Sequence, residues 1–262
     1  GSAVSLENLG RVAILIPAYN EERAIRRVVE SALAVLPDVF VVDDGSTDTT
    51  LDQLAGLPIQ LIRHASAQGK GCSLRDGFRE ILGRGFDAVV TMDGDGQHDA
   101  ADIPRMFAAA ERYPDHLVIA ARIRAKESQP ASRRRANAVA DWGISWGCGI
   151  PVADTQSGQR YYPREVMQLI DLSARGFVFE AAILIAAVRE LGMGVVSVPI
   201  DARYKGEFRR SHFRPVLDVT RITWYTILRV IHYGSVVGSY RSSHSHAPLV
   251  YDPDVAATAG GA

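Results

Sequence analysis

Short apolar runs alternate with segments of helical period through the first 121 residues, and no other feature restricts the fold as much. The runs are Val12–Ile16, Phe40–Val42, Ile59–Ile62, Val89–Met92 and Leu117–Ala121. Continuous apolar runs such as Val12–Ile16 read as buried strands, as does Val89–Met92, and Ile59–Ile62, interrupted by Gln60, reads as a further strand. Between them, Ala24, Ile25, Val28, Val29, Ala32, Leu33 and Leu36 keep one helical face up to Pro37. A second helix carries Leu51 and Leu54, a third carries Leu74, Phe78, Ile81 and Leu82, and a fourth spans Ile103–Ala110. Alternating strands and helices make βαβ units, hence an α/β, mostly parallel sheet with right-handed crossovers and helices on its faces. Polar residues follow each strand, so the chemistry gathers along one edge, where open α/β sheets bind ligands.

The second half is less regular. It predicts a helix over Ala136–Trp146, a loop over Asp154–Arg160, a short strand at Tyr161-Tyr162, a helix from Glu180 to Leu191 and a strand over Val195–Val198. A basic loop, Lys205–His212, precedes a helical, aromatic segment from Val216 to about Val237. Beyond Ser239 the chain shows no periodicity and reads as a loose tail.

Composition excludes some functions. With 29 basic and 30 acidic residues, no whole-molecule field drives binding to nucleic acid. The two cysteines, Cys72 and Cys148, lack metal-ligand spacing and read as small buried thiols of a reducing, cytoplasmic setting. Gly1-Ser2 reads as a cloning remnant with no signal peptide after it, and no apolar run approaches the roughly 20 residues that span a bilayer.

The fourth strand ends in Asp93-Gly94-Asp95-Gly96-Gln97-His98. Two carboxylates at i, i+2 and a carboxamide supply hard oxygen ligands, half of a divalent-metal site that a diphosphate could complete. An Asp- and Gly-rich turn is the plainer reading of the same residues. Asn20-Glu21 after the first strand and Asp43-Asp44 after the second are acceptor-rich and suit ribose hydroxyls or a base edge, or cap the next helix, as we expect of Asp48. Gly69-Lys70-Gly71 puts a lysine and backbone N–H groups at a helix start, a place for phosphate, without Walker-loop spacing. Arg122, Arg124, Lys126, Arg133, Arg134 and Arg135 have Glu127 as their one countercharge across residues 122–135.

Together, Ile16-Pro17-Ala18-Tyr19-Asn20-Glu21, Val42-Asp43-Asp44-Gly45-Ser46-Thr47-Asp48, Gly69-Lys70-Gly71, Met92–His98 and Asp154-Thr155-Gln156-Ser157-Gly158 resemble the family 2 glycosyltransferases with the nucleotide-sugar-binding GT-A fold. Within them the chain is most similar to the dolichyl- or polyprenyl-phosphate mannosyl and glucosyl synthases. The resemblance covers residues 11 to about 215. It implies a catalytic domain over 11–215, with a nucleotide half (11–100) and an acceptor half (101–215). Residues 1–10 are then an N-terminal arm, 216–238 an amphipathic helix and 239–262 the tail.

It also implies residue roles. Pro17, Tyr19, Glu21, Asp44, Lys70 and Asp93 hold the nucleotide sugar, while Asp93, Asp95 and Gln97 bind magnesium or manganese on its diphosphate. Asp95, Asp154 and Arg122 are the catalytic candidates. The expected reaction is inverting transfer of a hexose from GDP-mannose or UDP-glucose to an acceptor oxygen. A hydroxyl acceptor on a lipid, glycan or small aromatic needs a base, and Asp154 is the candidate. A lipid phosphate needs only cations, which Arg122, Arg133, Arg134, Arg135, Arg209 and Arg210 supply, with Ser157 beside them. The chain departs from its relatives at Arg209-Arg210-Ser211-His212, where they carry Gly-x-Ser-Lys, and at Ala65–Gln68, where an Asn is common.

Val216, Leu217, Val219, Ile222, Tyr225, Thr226, Leu228 and Ile231 mark an apolar side of the last helix, for core packing or for a membrane surface. Arg221, Trp224, Arg229 and His232 suit a headgroup boundary, so the expected partners are a nucleotide sugar, a lipid phosphate and, peripherally, the cytoplasmic face of a membrane. A protein that binds nucleotide sugars without catalysis is the alternative from another class.

Overall fold

Val12–Ala18 forms β1, the strand from which the rest can be placed. Its side chains alternate: Val12, Ile14, Ile16 and Ala18 enter one apolar cluster, and Ala13 and Leu15 enter a second on the opposite face. A strand buried on both faces must lie inside a sheet covered by helices on both sides, which is why the run is continuously apolar. The computed structural model describes residues 6–124, 131–171, 178–201 and 215–259.

From β1 the chain runs through α1 (Ile25–Leu33), β2 (Val39–Asp43), the short α2 (Thr50–Gln53), β3 (Gln60–Arg63), α3 (Lys70–Gly83) and β4 (Ala88–Thr91). It continues through α4 (Ile103–Arg112), β5 (His116–Ala121), α5 (Ala131–Cys148), β6 (Arg160–Pro163), α6 (Arg164–Met167), α7 (Val178–Leu191) and β7 (Gly194–Pro199). Helices α8 (Pro215–His232), α9 (Val236–His244) and α10 (Pro253–Ala259) follow. The described strands form one sheet in the order β3-β2-β1-β4-β6-β5-β7. All neighbours are parallel except β6, which is antiparallel to both β4 and β5.

That reversal positions the site. Parallel strands deliver their C-terminal ends to one edge, whereas β6 delivers its N-terminal end there. Thr91, the last residue of β4, pairs with Arg160, the first of β6. The loop Asp154–Gln159 therefore lies beside Asp93–Gln97 although more than 55 residues separate them in the chain. Helix α5 begins earlier than expected and takes in Arg133, Arg134 and Arg135. Arginine and the interleaved alanines are good helix formers, so the charge run extends the helix.

Two expectations about the C-terminal part are corrected. The helical segment stops at His232, and α9 begins after a break at which Gly234 has φ +73°. Nor is the chain after Ser239 loose. It completes α9, adds a parallel bridge between Val250 and Ser197 of β7, and ends in α10. Asp252 is tied to both Arg105 of α4 and Arg124. Lack of periodicity signalled no helix there, but ion pairs and two backbone bonds to one β7 residue, Ser197, leave no apolar period to read.

Candidate active site

The loop after β4 presents the acidic pair to a cleft that is open to solvent. Lys70, Asp93, Asp95, Gln97, Arg122, Arg133, Asn137, Thr155, Gln156, Glu180 and Ala181 line it. Two glycines shape this wall. Gly96 sits at φ +82°, a region that L side chains rarely adopt, and turns the chain between Asp95 and Gln97. A Cβ at Gly158 would stand 2.9 Å from the Asp93 carboxylate, so only glycine lets the 154–159 loop press against the acidic one.

Lys70, the first residue of α3, reaches Asp93 Oδ1 at 2.6 Å and Glu180 of α7 at 3.2 Å. Burial pushes the Asp93 carboxyl up, but the charges of Lys70 and His98 outweigh it and hold it down to about 2. Burial likewise works against the Lys70 ammonium, yet Asp93 and Glu180 keep it firmly protonated. Asp95 differs: burial and the neighbouring Asp93 charge both push its carboxyl up. Its Oδ1 accepts from Gln97 N at 3.0 Å. An acidic pair of which one member is destabilised as an anion fits a cation.

The protein oxygens on this loop are fewer than a divalent ion takes by itself. Asp93, Asp95 and Gln97 offer oxygens on one short loop, and no group of three or more His, Cys, Asp or Glu able to hold a metal occurs among the described residues. A magnesium-type ion suits one or two carboxylates plus substrate phosphates.

Across the cleft, Arg122 and Asp154 form a closed pair. Nε and Nη2 of Arg122 donate to the two Asp154 oxygens at 2.8 and 2.7 Å, and the Arg122 backbone N–H adds a third bond at 2.8 Å. Burial raises the Asp154 carboxyl, but these bonds and the guanidinium charge bring it below the usual range. Asp154 also sits at φ +47°, a conformation Asp tolerates better than most residues. Arg133 lines the cleft, whereas Arg134 and Arg135 point out to solvent and are not among the lining residues. Successive helical residues are about 100° apart, so three arginines in a row cannot share one face. Arg209 and Arg210 lie outside the described residues. Ser157 is buried, and its hydroxyl accepts from Gln159 N at 3.3 Å; Thr155 and Gln156 line the cleft beside it.

Pro17, Tyr19, Glu21 and Asp44 gather at the ends of β1 and β2, next to the cleft rather than in its lining. Glu21 and Asp44 are buried. Asn20, expected as a helix cap, instead takes φ +51° and accepts at Oδ1 from Thr47 N (2.8 Å) and Asp48 N (3.3 Å), stitching the two loops together. Asp48, expected as a cap, stands one residue before the N-cap Thr49 of α2 and braces the helix start by accepting from Thr50 N at 2.9 Å. Asp44 accepts from Gln68 N and Gly69 N at 2.8 and 2.9 Å, immediately before Lys70.

Residues to which the sequence assigned no role complete the site. Glu180, Asn137, Thr155 and Gln156 line the cleft. Arg160 is wholly buried and donates to the carbonyls of Ser157, Thr155 and Glu180, pinning the 154–159 loop to α7. An arginine that opens an otherwise apolar strand was the available signal, since such a charge persists in a core only with full pairing.

Comparison with known proteins agrees with this geometry. The model of glycosyl transferase family 2 matches residues 13–179. The chain is 32% identical over 204 residues to a polyprenol monophosphomannose synthase of Mycolicibacterium smegmatis, covering 72% of this chain and 76% of that one. It is 31% identical over 236 residues to an undecaprenyl-phosphate mannosyltransferase of Micrococcus luteus, covering 80% and 93%. Among solved structures, glucosyl-3-phosphoglycerate synthase of Mycobacterium tuberculosis with manganese, UDP-glucose and phosphoglyceric acid superposes with a TM-score of 0.65 at 20% identity, over 89% of this chain and 84% of that one. That likeness concerns the fold and makes the sheet a GT-A sheet. With its acidic pair, its Gly-Lys-Gly helix start and its β6 reversal in register, the chain belongs to glycosyl transferase family 2.

Proposed function

We propose that the enzyme moves a hexose from a nucleotide-diphosphate sugar, GDP-mannose or UDP-glucose, to a polyprenyl phosphate with inversion at the anomeric carbon. The observation that carries the reading is the division of charge across one cleft. Asp93, Asp95 and Gln97 stand on one side and Arg122 and Arg133 on the other, with Lys70 between carboxylates.

Asp93, Asp95 and Gln97 would hold a magnesium or manganese ion. Bound there, the ion supplies Lewis-acid stabilisation to the departing diphosphate. Lys70 adds a fixed positive charge on the same side, and Pro17, Tyr19, Glu21 and Asp44 hold the nucleoside. A phosphate oxygen of the acceptor attacks the anomeric carbon while the bond from that carbon to the diphosphate oxygen breaks and its electron pair leaves with the nucleotide. No proton has to move, because the attacking oxygen is already anionic. Arg133 and, through its pair with Asp154, Arg122 orient that anion, since guanidinium donors match phosphate oxygens.

The engagement of Asp154 supports phosphate over hydroxyl. Both its oxygens are occupied by Arg122 and its acidity is increased, which makes it a weak general base. The names of the relatives, mannosyltransferases of polyprenol and undecaprenyl phosphate, point the same way.

A lipid acceptor requires a route to a membrane surface. Helix α8 buries Asp218, Ile222, Thr226 and Val230 on one face, and α5 is among the helices packed against it. It leaves Val216, Trp224 and Ile231 exposed at 83%, 64% and 61%. The apolar residues expected on one side thus divide between core and surface, and the exposed set supports peripheral docking. No helix of the described residues is long and apolar enough to cross a membrane.

The test is a donor panel with manganese or magnesium, scored by nucleoside-diphosphate release with and without undecaprenyl phosphate. Release that depends on both lipid and metal supports the reading. Equal release with a non-phosphorylated polyprenol would overturn its acceptor half, and activity undiminished by excess chelator its metal half.

A further inference from the structure

His64, just after β3, has its imidazole between carboxylates from two different elements. Nδ1 is 2.8 Å from Asp44 Oδ1 at the end of β2, and Nε2 is 2.7 Å from Asp76 Oδ2 of α3. The ring is 6% exposed, so water does not intervene freely. An ionised carboxylate can only accept hydrogen bonds, and a neutral imidazole has a single N–H. Two such short contacts with a neutral ring would set a nitrogen lone pair against an anion, so this arrangement calls for the doubly protonated ring.

The charged groups facing the ring are Asp44 and Asp76, with Arg79 at 3.0 Å behind Asp76. Burial alone would lower the imidazole's affinity for its proton, but hydrogen bonds and charge from the two aspartates raise it above the ordinary histidine value. The nearer consequence lies in Asp44. The carboxylate that His64 grips also receives the N–H groups of Gln68 and Gly69, the turn that delivers Lys70 to Asp93.

We propose that His64, as the imidazolium, is a positioning residue for donor binding: it fixes Asp44, and with it the Gln68-Gly69 turn and the ammonium of Lys70. This rests on the donor-site reading given above. The sign follows from the clamp. A raised folded value means that the stabilisation is fully present below the unfolded histidine value and is lost as pH rises through the folded one. Donor binding needs the turn that the protonated clamp holds, so the donor favours the protonated ring, and by linkage its affinity weakens on the alkaline side while the rate of the bound complex changes little. Asp76→Asn keeps an acceptor for Nε2–H and removes one of the two anions, so it moves the loss to lower pH.

The first readout needs no donor. Histidine ¹⁵N and ¹³C spectra of the full chain, with the His64 signal assigned by its loss in His64→Gln, are expected to show both ring nitrogens protonated at pH 6.5 and a midpoint above that value. Asp76→Asn should lower the midpoint. Calorimetric titration with GDP-mannose and with UDP-glucose, each with manganese, from pH 6 to 9, should give a Kd that rises about 3- to 10-fold across the same midpoint. The rise should shift with Asp76→Asn, and Asp44→Asn should weaken binding at every pH. A single ring proton at pH 6.5 overturns the proposal. So does a Kd that is weakened by Asp44→Asn yet indifferent to pH and to Asp76→Asn, which leaves the donor-site reading standing. Binding of either donor unaffected by Asp44→Asn, or of neither donor to the unaltered chain, removes that reading and the clamp's role with it.

Discussion

The two walls of the cleft handle charge in opposite ways. On the β1-β2-β4 side, carboxylates predominate and are held by backbone N–H groups, one lysine and one histidine. On the other side arginines face the cleft, and one of them, Arg122, is already tied bidentately to the buried Asp154. Carboxylates concentrate on one wall and guanidinium groups on the other. A site built this way suits two ligands at once, a metal-bound diphosphate and a separate anion, and the rigid anchoring on both walls is what preorganised electrostatic stabilisation needs. The contrast also separates the roles: changes on the acidic wall should alter departure of the donor, and changes on the basic wall should alter capture of the acceptor.

The strongest way to break this comparison is Asp95→Ala. Transfer should fall by about 10³-fold or more. The thermal midpoint without metal should hold or rise, because an anion beside another anion is removed. Near-full turnover of this variant would end the proposed role of the acidic wall. Arg133→Ala should raise the KM for undecaprenyl phosphate by about 10- to 100-fold and leave donor affinity unchanged, whereas Arg134→Ala and Arg135→Ala stay within about twofold. Equal effects at all three positions would mean a diffuse basic surface.

Asp154→Asn sharpens the acceptor question. With a phosphate acceptor it should cost about 10-fold by loosening Arg122; a loss of about 10³-fold or more, accompanied by turnover on a polyprenol, would restore it as a base. The double variant Trp224→Glu/Ile231→Glu should reduce co-sedimentation with anionic vesicles by about 10-fold, without a loss of stability beyond about 1 kcal/mol, since both positions are exposed. Unchanged sedimentation would remove α8 from the membrane contact. The smallest effect concerns acid stability. The Asp154 carboxyl is more acidic folded than unfolded, so its contribution exists above the ordinary aspartate range and is lost as pH falls through the folded value. Thermal midpoints measured from pH 6 down to 3 should decline less steeply in Asp154→Asn than in the unaltered chain.

Much of this was legible in the chain. The order of strands and helices up to Ala121 followed from periodicity; Asp93, Asp95, Gln97 and Lys70 were named from their place after a strand or at a helix start, Arg122 and Arg133 from a basic run and the family resemblance, and all six meet in one cleft. Glu180 was visible as the charge that opens an apolar helix, but nothing local said that it would face Lys70. Arg134 and Arg135 were grouped with Arg133 because adjacency in sequence was read as adjacency in space, and helix geometry separates them. The C-terminal strap beside β7 was missed because ion pairs and one bridge leave no periodic trace.

Local patterns are written along the chain, and those are what a reader can extract from it: where strands begin, which loops carry carboxylates, which lysine opens a helix. Contacts between segments far apart in sequence depend instead on the direction in which each strand enters the sheet. The antiparallel turn of β6 brings Asp154 to Arg122 and Gly158 to Asp93, and β2, β3 and α3 close around His64. Both are consequences of packing, because no residue's own conformational preference specifies a neighbour that another strand must deliver.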